Sequence, residues 1–314
     1  MPVDAELQPI LDLVNAVAAP PPSLDRVAEL RESFALLVAA FGPGPDDVEV
    51  EGVAVPNGAS PLGLRIYRST APDAPRRPGA LVWFHGGGWV IGDVDTHDAL
   101  CRELCARSAA TVISVDYRLA PEHRFPAAHD DARRALRWIA AHAVELEIDP
   151  SRLAVGGDSA GGHLATVAAL RARTDGPDLR AQVLVYPVTD LAATPERYPS
   201  LRDNAEGYLL TAETMQFFSD TYAPDVARRV EPDASPVRVE DLSGSPTTLL
   251  ITAEFDPLRD EGAHYAARLA AAGVDTRHED HAGATHLFVQ MTSTALAQRA
   301  LDQIVDVLRS TGVA

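Results

Sequence analysis

The chain has 314 residues, 46% of them hydrophobic, enough for one large domain with an insertion and a sizeable core. Its 45 acidic residues outnumber 27 basic ones, and the formal charge of −18 makes a surface that repels nucleic acid and anionic membranes. Every basic residue is arginine, so Schiff-base chemistry, pyridoxal-phosphate attachment and a Walker-A loop, which all need a lysine amine, are excluded. Met1 to Glu6 carry no positive stretch followed by an apolar core, and no apolar run is long enough to span a bilayer. The expectation is a cytoplasmic protein with no nucleic-acid or membrane partner; a homodimer is left open.

In chain order, Ser23 as N-cap and the series Leu24, Val27, Leu30, Phe34, Leu37 predict an amphipathic helix, which Gly42-Pro43-Gly44-Pro45 ends. Residues 48–55 and 62–68 alternate like an antiparallel hairpin. Strands near 80–84, 111–115, 152–156, 181–186, 247–252 and 274–279 then alternate with helices. That rhythm predicts an α/β architecture, a mostly parallel sheet covered on both faces. Cys101 and Cys105 share one helical stripe with Leu100 and Leu104. With His97 one turn earlier they are a candidate metal face, but C-x-x-x-C matches no common zinc spacing, and a reduced buried pair without metal or cofactor is the expectation.

Between about 190 and 237 the alternation breaks, with a helix starting near Thr211 and carrying Met215, Phe217, Phe218 and Tyr222. A break just after a strand is where a lid inserts. Segments near 1–41 and 190–235 are therefore expected to form one cap. The predicted division is 1–45 as the N-terminal part of the cap, 46–189 as the first part of the core, 190–237 as the cap insertion and 238–314 as the second part of the core. Met215 and Phe218 are candidates for the pocket lining. The last helix shows Ala297, Ala300, Leu301, Ile304, Val305 and Leu308 on one face.

The chemistry concentrates at the strand ends. Gly157-Asp158-Ser159-Ala160-Gly161 follows the apolar Leu153-Ala154-Val155 and opens a helix, the strand, turn and helix of a nucleophile elbow. A side chain at either flanking glycine would collide with the neighbouring elements. His85-Gly86-Gly87-Gly88-Trp89 runs straight out of a strand, and its backbone N–H groups, together with that of Ala160, are candidate donors to an oxyanion. A serine needs a histidine to take its proton and a carboxylate to orient that histidine. Asp256, on the loop before Pro257, is preferred to Glu254, close to the strand, and to Asp260, on the next helix. Of His281 and His286, in a loop expected over 280–286, the second lies at the far end and is preferred as the base. Trp89 is a further pocket candidate because it follows the glycines directly. Asp158 reads as a structural hydrogen-bonding residue, and Tyr186-Pro187 has no assigned role.

Four motifs together, His85 to Trp89, Asp116-Tyr117-Arg118-Leu119-Ala120-Pro121-Glu122, Gly157 to Gly162 and Asp256-Pro257-Leu258-Arg259-Asp260, resemble the bacterial hormone-sensitive-lipase-like esterases of the α/β-hydrolase superfamily, from about residue 45 to the C-terminus. The resemblance implies an α/β-hydrolase fold with a helical cap, a Ser159, Asp256, His286 triad, and an oxyanion hole of the N–H groups of Gly87, Gly88 and Ala160. One departure is Leu287, where that family usually has glycine after the histidine. The expected activity is hydrolysis of short- to medium-chain carboxylic esters through an acyl-enzyme. The alternatives are an amidase or N-deacylase with the same triad and a small-molecule receptor that kept the fold without catalysis.

Overall fold

The computed structural model describes residues 2–16, 21–56, 61–72 and 74–314. Strands β1 (Val48–Val55) and β2 (Leu62–Ser69) form the antiparallel entry hairpin. They are followed by β3 (Ala80–Phe84), β4 (Thr111–Asp116), β5 (Leu153–Asp158), β6 (Leu179–Val185), β7 (Thr247–Phe255) and β8 (Thr276–Thr285). The sheet order is β1-β2-β4-β3-β5-β6-β7-β8, with β2 antiparallel to β4 and every later pairing parallel. β3 and β5 are buried at every position, as strands covered on both faces must be.

Helix α1 is Gln8–Ala16 and α2 is Val27–Ala39. Among the core helices, α3 (Asp98–Ser108) packs against α9 (Ala295–Ser310), and α4 (Ala127–Ala141) packs against α5 (Ala160–Asp175). The stripe of α3 holding Leu100, Cys101, Leu104 and Cys105 is fully buried; burial pushes both thiols up, Cys105 to about 12, so they stay protonated and act as small apolar side chains. The insertion holds α6 (Ser200–Asp203) and α7 (Ala212–Tyr222), with short 3₁₀ turns at Val226–Val230 and Pro236–Arg238. Thr211 Oγ1 caps α7 by accepting from the Thr214 amide at 3.1 Å. Helix α8 is Arg259–Ala271.

Two local expectations are corrected. Ser23 makes no side-chain cap: Leu24–Arg26 form a 3₁₀ turn before α2, and its tighter winding takes Leu24 off the apolar face, leaving it 55% exposed while Val27 and Phe34 are buried. The expected loop over 280–286 is mostly strand, because β8 keeps its ladder with β7 as far as Thr285 opposite Phe255.

The N-terminal helices reach different places. Asn15 at the end of α1 donates to the Gly207 carbonyl of the insertion at 3.1 Å. From α2, Arg31 donates to the carbonyls of Val90 and Ala120 and pairs with Glu122 at 2.8 Å, lying over the segment that follows the three glycines.

Candidate active site

The glycine loop and the serine, acid and base candidates stand at the C-terminal ends of parallel strands. The glycine loop follows β3, Ser159 follows β5, Asp256 follows β7 and His286 follows β8. This is the edge at which open α/β sheets place their chemistry. Phe84 pairs with Gly157, so the glycine loop and the serine turn leave the sheet side by side.

Ser159 is held at φ 56°, ψ −120°, a region L-residues avoid, and only over-determination by its surroundings keeps it there. Its amide donates to Val185 O, its carbonyl accepts from the amides of His163 and Val188, and a Cβ added at Gly161 would land 1.9 Å from Phe84 O. No other residue fits there. Ser159 and His286 are each only 4% exposed.

The glycine loop is clamped from several sides. Tyr117, from the second motif, donates its hydroxyl to His85 O at 2.7 Å and stacks on the His85 ring at 4.1 Å, and the Ala120 amide donates to Trp89 O at 2.8 Å. The amides of Gly87, Gly88 and Ala160 donate to nothing among the described residues. Buried N–H groups are rarely left unpaired, so three on the two turns flanking one serine are a ready anion site. Gly88 has φ 58°, and Phe218 of α7 lies against it, within 2.1 Å of where a Cβ would be.

His286 Nδ1 is 2.6 Å from Asp256 Oδ2, both side chains being almost fully buried. Since a carboxylate only accepts, Nδ1 carries the proton and Nε2 is left as the acceptor. Asp256 is oriented in turn by the Leu258 amide on Oδ1 at 2.8 Å, and Asn204 braces the backbone by donating to the carbonyls of Glu254 and Asp256. No hydrogen bond joins Ser159 Oγ to His286 among the described residues; such contacts often tighten only with substrate bound. The competitors go elsewhere. His281 meets Gln303 at 2.8 Å, the Glu254 carboxylate accepts from the Gly283 amide, and Asp260 accepts from the Ser200 amide. Leu287 sits at φ 69°, a conformation glycine takes without strain.

Asp158 makes the structural hydrogen bonds expected of it, whereas other supporting residues went unselected in the sequence. Tyr186, itself at φ 34°, lays its ring 4.4 Å from that of His286. His97, Asp158 and Gln290 form a buried cluster under the glycine loop. Only the positions of Tyr186 at a strand end and of Gln290 near the base gave a local hint. Trp89 requires correction as a pocket residue: it has no exposed surface, stacks on Tyr222 at 4.7 Å and meets the edge of His163, so it supports the loop from beneath. Met215 lines a cavity of about 330 Å³ with Val188, Leu191, Ser219, Leu258 and Glu261. Val188 and Leu258 tie that cavity to the site, through their amides' bonds to Ser159 O and Asp256 Oδ1.

Residues 81–290 match the model of a family described by the alpha/beta hydrolase fold. The chain is an α/β-hydrolase. This hydrolase belongs with the hormone-sensitive-lipase-like esterases. It is 40% identical to ethyl acetate hydrolase of Pseudomonas putida, over 88% of this chain and 87% of that one. It is 41% identical to carboxylesterase NlhH of Mycobacterium tuberculosis, over 74% and 73% of the two chains. Among solved structures, a hyperthermophilic esterase from Pyrobaculum calidifontis superposes with a TM-score of 0.92 at 39% identity, covering 100% of both chains. The hydrolase has no helix, among the described residues, long and apolar enough to cross a membrane.

Proposed function

We propose that this hydrolase cleaves short- to medium-chain carboxylic esters with Ser159 as nucleophile, His286 as base and Asp256 as the group that orients it. The observation that carries the reading is the 2.6 Å His286–Asp256 contact at the sheet edge that also holds Ser159 in its strained turn beside three unpaired amides. His286 Nε2 takes the Ser159 proton as Oγ attacks the ester carbonyl. The amides of Gly87, Gly88 and Ala160 receive the oxyanion, each donor contributing on the order of 3 kcal/mol to the transition state. The imidazolium then protonates the departing alcohol, and water repeats the sequence on the acyl-enzyme to release the acid. Relatives named as an ethyl acetate hydrolase and carboxylesterases favour esters over amides. Met215 and Phe218 form the wall that limits chain length, and the 1–45 and 190–237 segments act as the cap. A cytoplasmic setting accords with two buried free thiols. The test is stoichiometric labelling by a fluorophosphonate that Ser159→Ala abolishes, together with turnover of p-nitrophenyl esters. A wild-type protein that neither labels nor turns over would favour the receptor alternative.

A further inference from the structure

The cluster beneath the glycine loop bonds to both loops of the reaction yet takes no part in the chemistry. The Gly86 amide stands 3.1 Å from both His97 Nε2 and Asp158 Oδ1. Gln290 Nε2 stands 2.9 Å from the same His97 nitrogen and 3.3 Å from Asp158 Oδ2. His97 and Asp158 are wholly buried and Gln290 is 3% exposed.

His97 Nε2 lies within reach of three groups, the Gly86 amide, the Gln290 amide and, at 3.2 Å, Asp158 Oδ2. On the other side of the ring, Thr96 Oγ1, itself 2.8 Å from Asp93 O, is 3.1 Å from His97 Nδ1. The Gln290 side chain cannot be reversed, because its oxygen would then face the Asp158 carboxylate, acceptor against acceptor. Its Oε1 instead remains buried without a partner. A core glutamine that leaves its carbonyl unpaired to keep its N–H groups on this cluster marks a constraint beyond packing.

The constraint bears on the oxyanion amides. Gly86 O is 2.8 Å from His85 Nδ1, and since a carbonyl only accepts, His85 donates there. In a trans peptide the carbonyl and the following N–H point opposite ways, so holding Gly86 O turns the Gly87 amide to the other side, where it has no partner. The Gly86 amide fixes the preceding peptide plane. A Cβ on Gly86 would come within 2.4 Å of Asp158 Oδ2, so the loop is seated against this carboxylate. Gln290 is four residues beyond His286, in the 3₁₀ turn Phe288–Gln290 that continues the base loop.

We propose that Gln290 and His97 are positioning residues that lock the loop bearing the base to the loop bearing the oxyanion donors, through the Gly86 amide and Asp158 of the elbow. The inference rests on the esterase reading above. The prediction concerns the transition state and not ground-state binding, because the oxyanion forms only as Oγ attacks.

The test compares Gln290→Met, His97→Ala and His97→Gln with wild type, with rates taken per fluorophosphonate-titrated serine so that misfolded material does not count. Gln290→Met and His97→Ala should lose about 10- to 100-fold in kcat, the scale of a misplaced oxyanion donor, with KM within about twofold. Affinity for an aryl trifluoromethyl ketone, whose adduct carries the oxyanion, should fall in proportion. His97→Gln, whose side-chain amide can still bond to the Gly86 amide or to Asp158, should recover most of the loss. If Gln290→Met gives no titratable protein, the two His97 variants test the same bridge from its other end. Wild-type kcat in Gln290→Met or His97→Ala, a loss confined to KM, an unchanged ketone affinity, or His97→Gln no better than His97→Ala would each overturn the proposal. Failure of the wild type to label or turn over would instead remove the esterase reading itself.

Discussion

Ser159 stores strain that its neighbours pay for, of order 1–3 kcal/mol for such a backbone. Its worth should appear on mutation: Ser159→Ala is expected to lower kcat by on the order of a millionfold, the scale found for nucleophile removal in an unrelated serine protease, with substrate binding kept. Retention of more than a few per cent of the rate would transfer the nucleophile role elsewhere. The two histidines give a sharper discrimination, because His286 contacts Asp256 whereas His281 contacts Gln303. His286→Ala should be nearly as damaging as the serine change and His281→Ala mild, both read from steady-state ester hydrolysis. The residues that escaped the sequence reading share one property. Gln290 meets Asp158 across 132 positions and Asn204 meets the acid loop across 52, and no local pattern encodes contacts of that range.

At the scale of elements, the long apolar strands were legible because a strand buried on both faces reads as a continuous hydrophobic run. β8 was clipped because residues 280–285 carry little apolar or β-branched signature, and past His281 the register with β7 is irregular until Thr285 meets Phe255. The residues proposed as triad and oxyanion hole could be picked out for a different reason, since turn chemistry after a strand is written in glycines and in chain order. The pocket was least legible. Trp89 adjoins the glycines in sequence, but the left-handed φ of 60° at Trp89 itself turns the indole into the core. On helix α7, Met215 lines the cavity described above. Met215→Ala should enlarge the cavity beside Val188 and Leu258 and move the preferred p-nitrophenyl acyl chain longer. Each methylene newly accommodated adds about 0.8 kcal/mol, or roughly fourfold in kcat/KM. An unchanged chain-length profile would show that acyl chains do not enter this cavity, and a rate jump on emulsified substrate would show a mobile lid.

At the scale of the whole molecule, stability should depend on pH through a buried carboxyl outside the proposed triad. Glu261 is 1% exposed, accepts from the Thr189 and Asp190 amides through Oε1, and is pushed up to about 8, chiefly by burial, with the neighbouring Asp190 charge adding to the shift. The folded state keeps its proton up to about that pH, whereas the unfolded chain releases it near 4.5. Between those values the native state binds more protons, so unfolding free energy falls as pH rises. Six histidines act in the opposite sense at lower pH. Burial lowers His85 to about 4 and His129 to about 3, and also lowers His163, His264, His278 and His281, so the unfolded chain binds the extra protons and stability is lost as pH falls through about 6.5. Above about pH 7.5 the histidines of the unfolded chain have released most of their protons, and Glu261 governs the slope up to about pH 8, at no more than about 1.36 kcal/mol per pH unit. Urea unfolding of the wild type should show a falling midpoint across that window. Glu261→Gln keeps an acceptor for the two amides but cannot ionise, so its midpoint should stay level and exceed the wild type's at pH 8. A parallel decline in the variant would mean that the slope belongs to other groups and that Glu261 is already ionised in the folded protein at neutral pH.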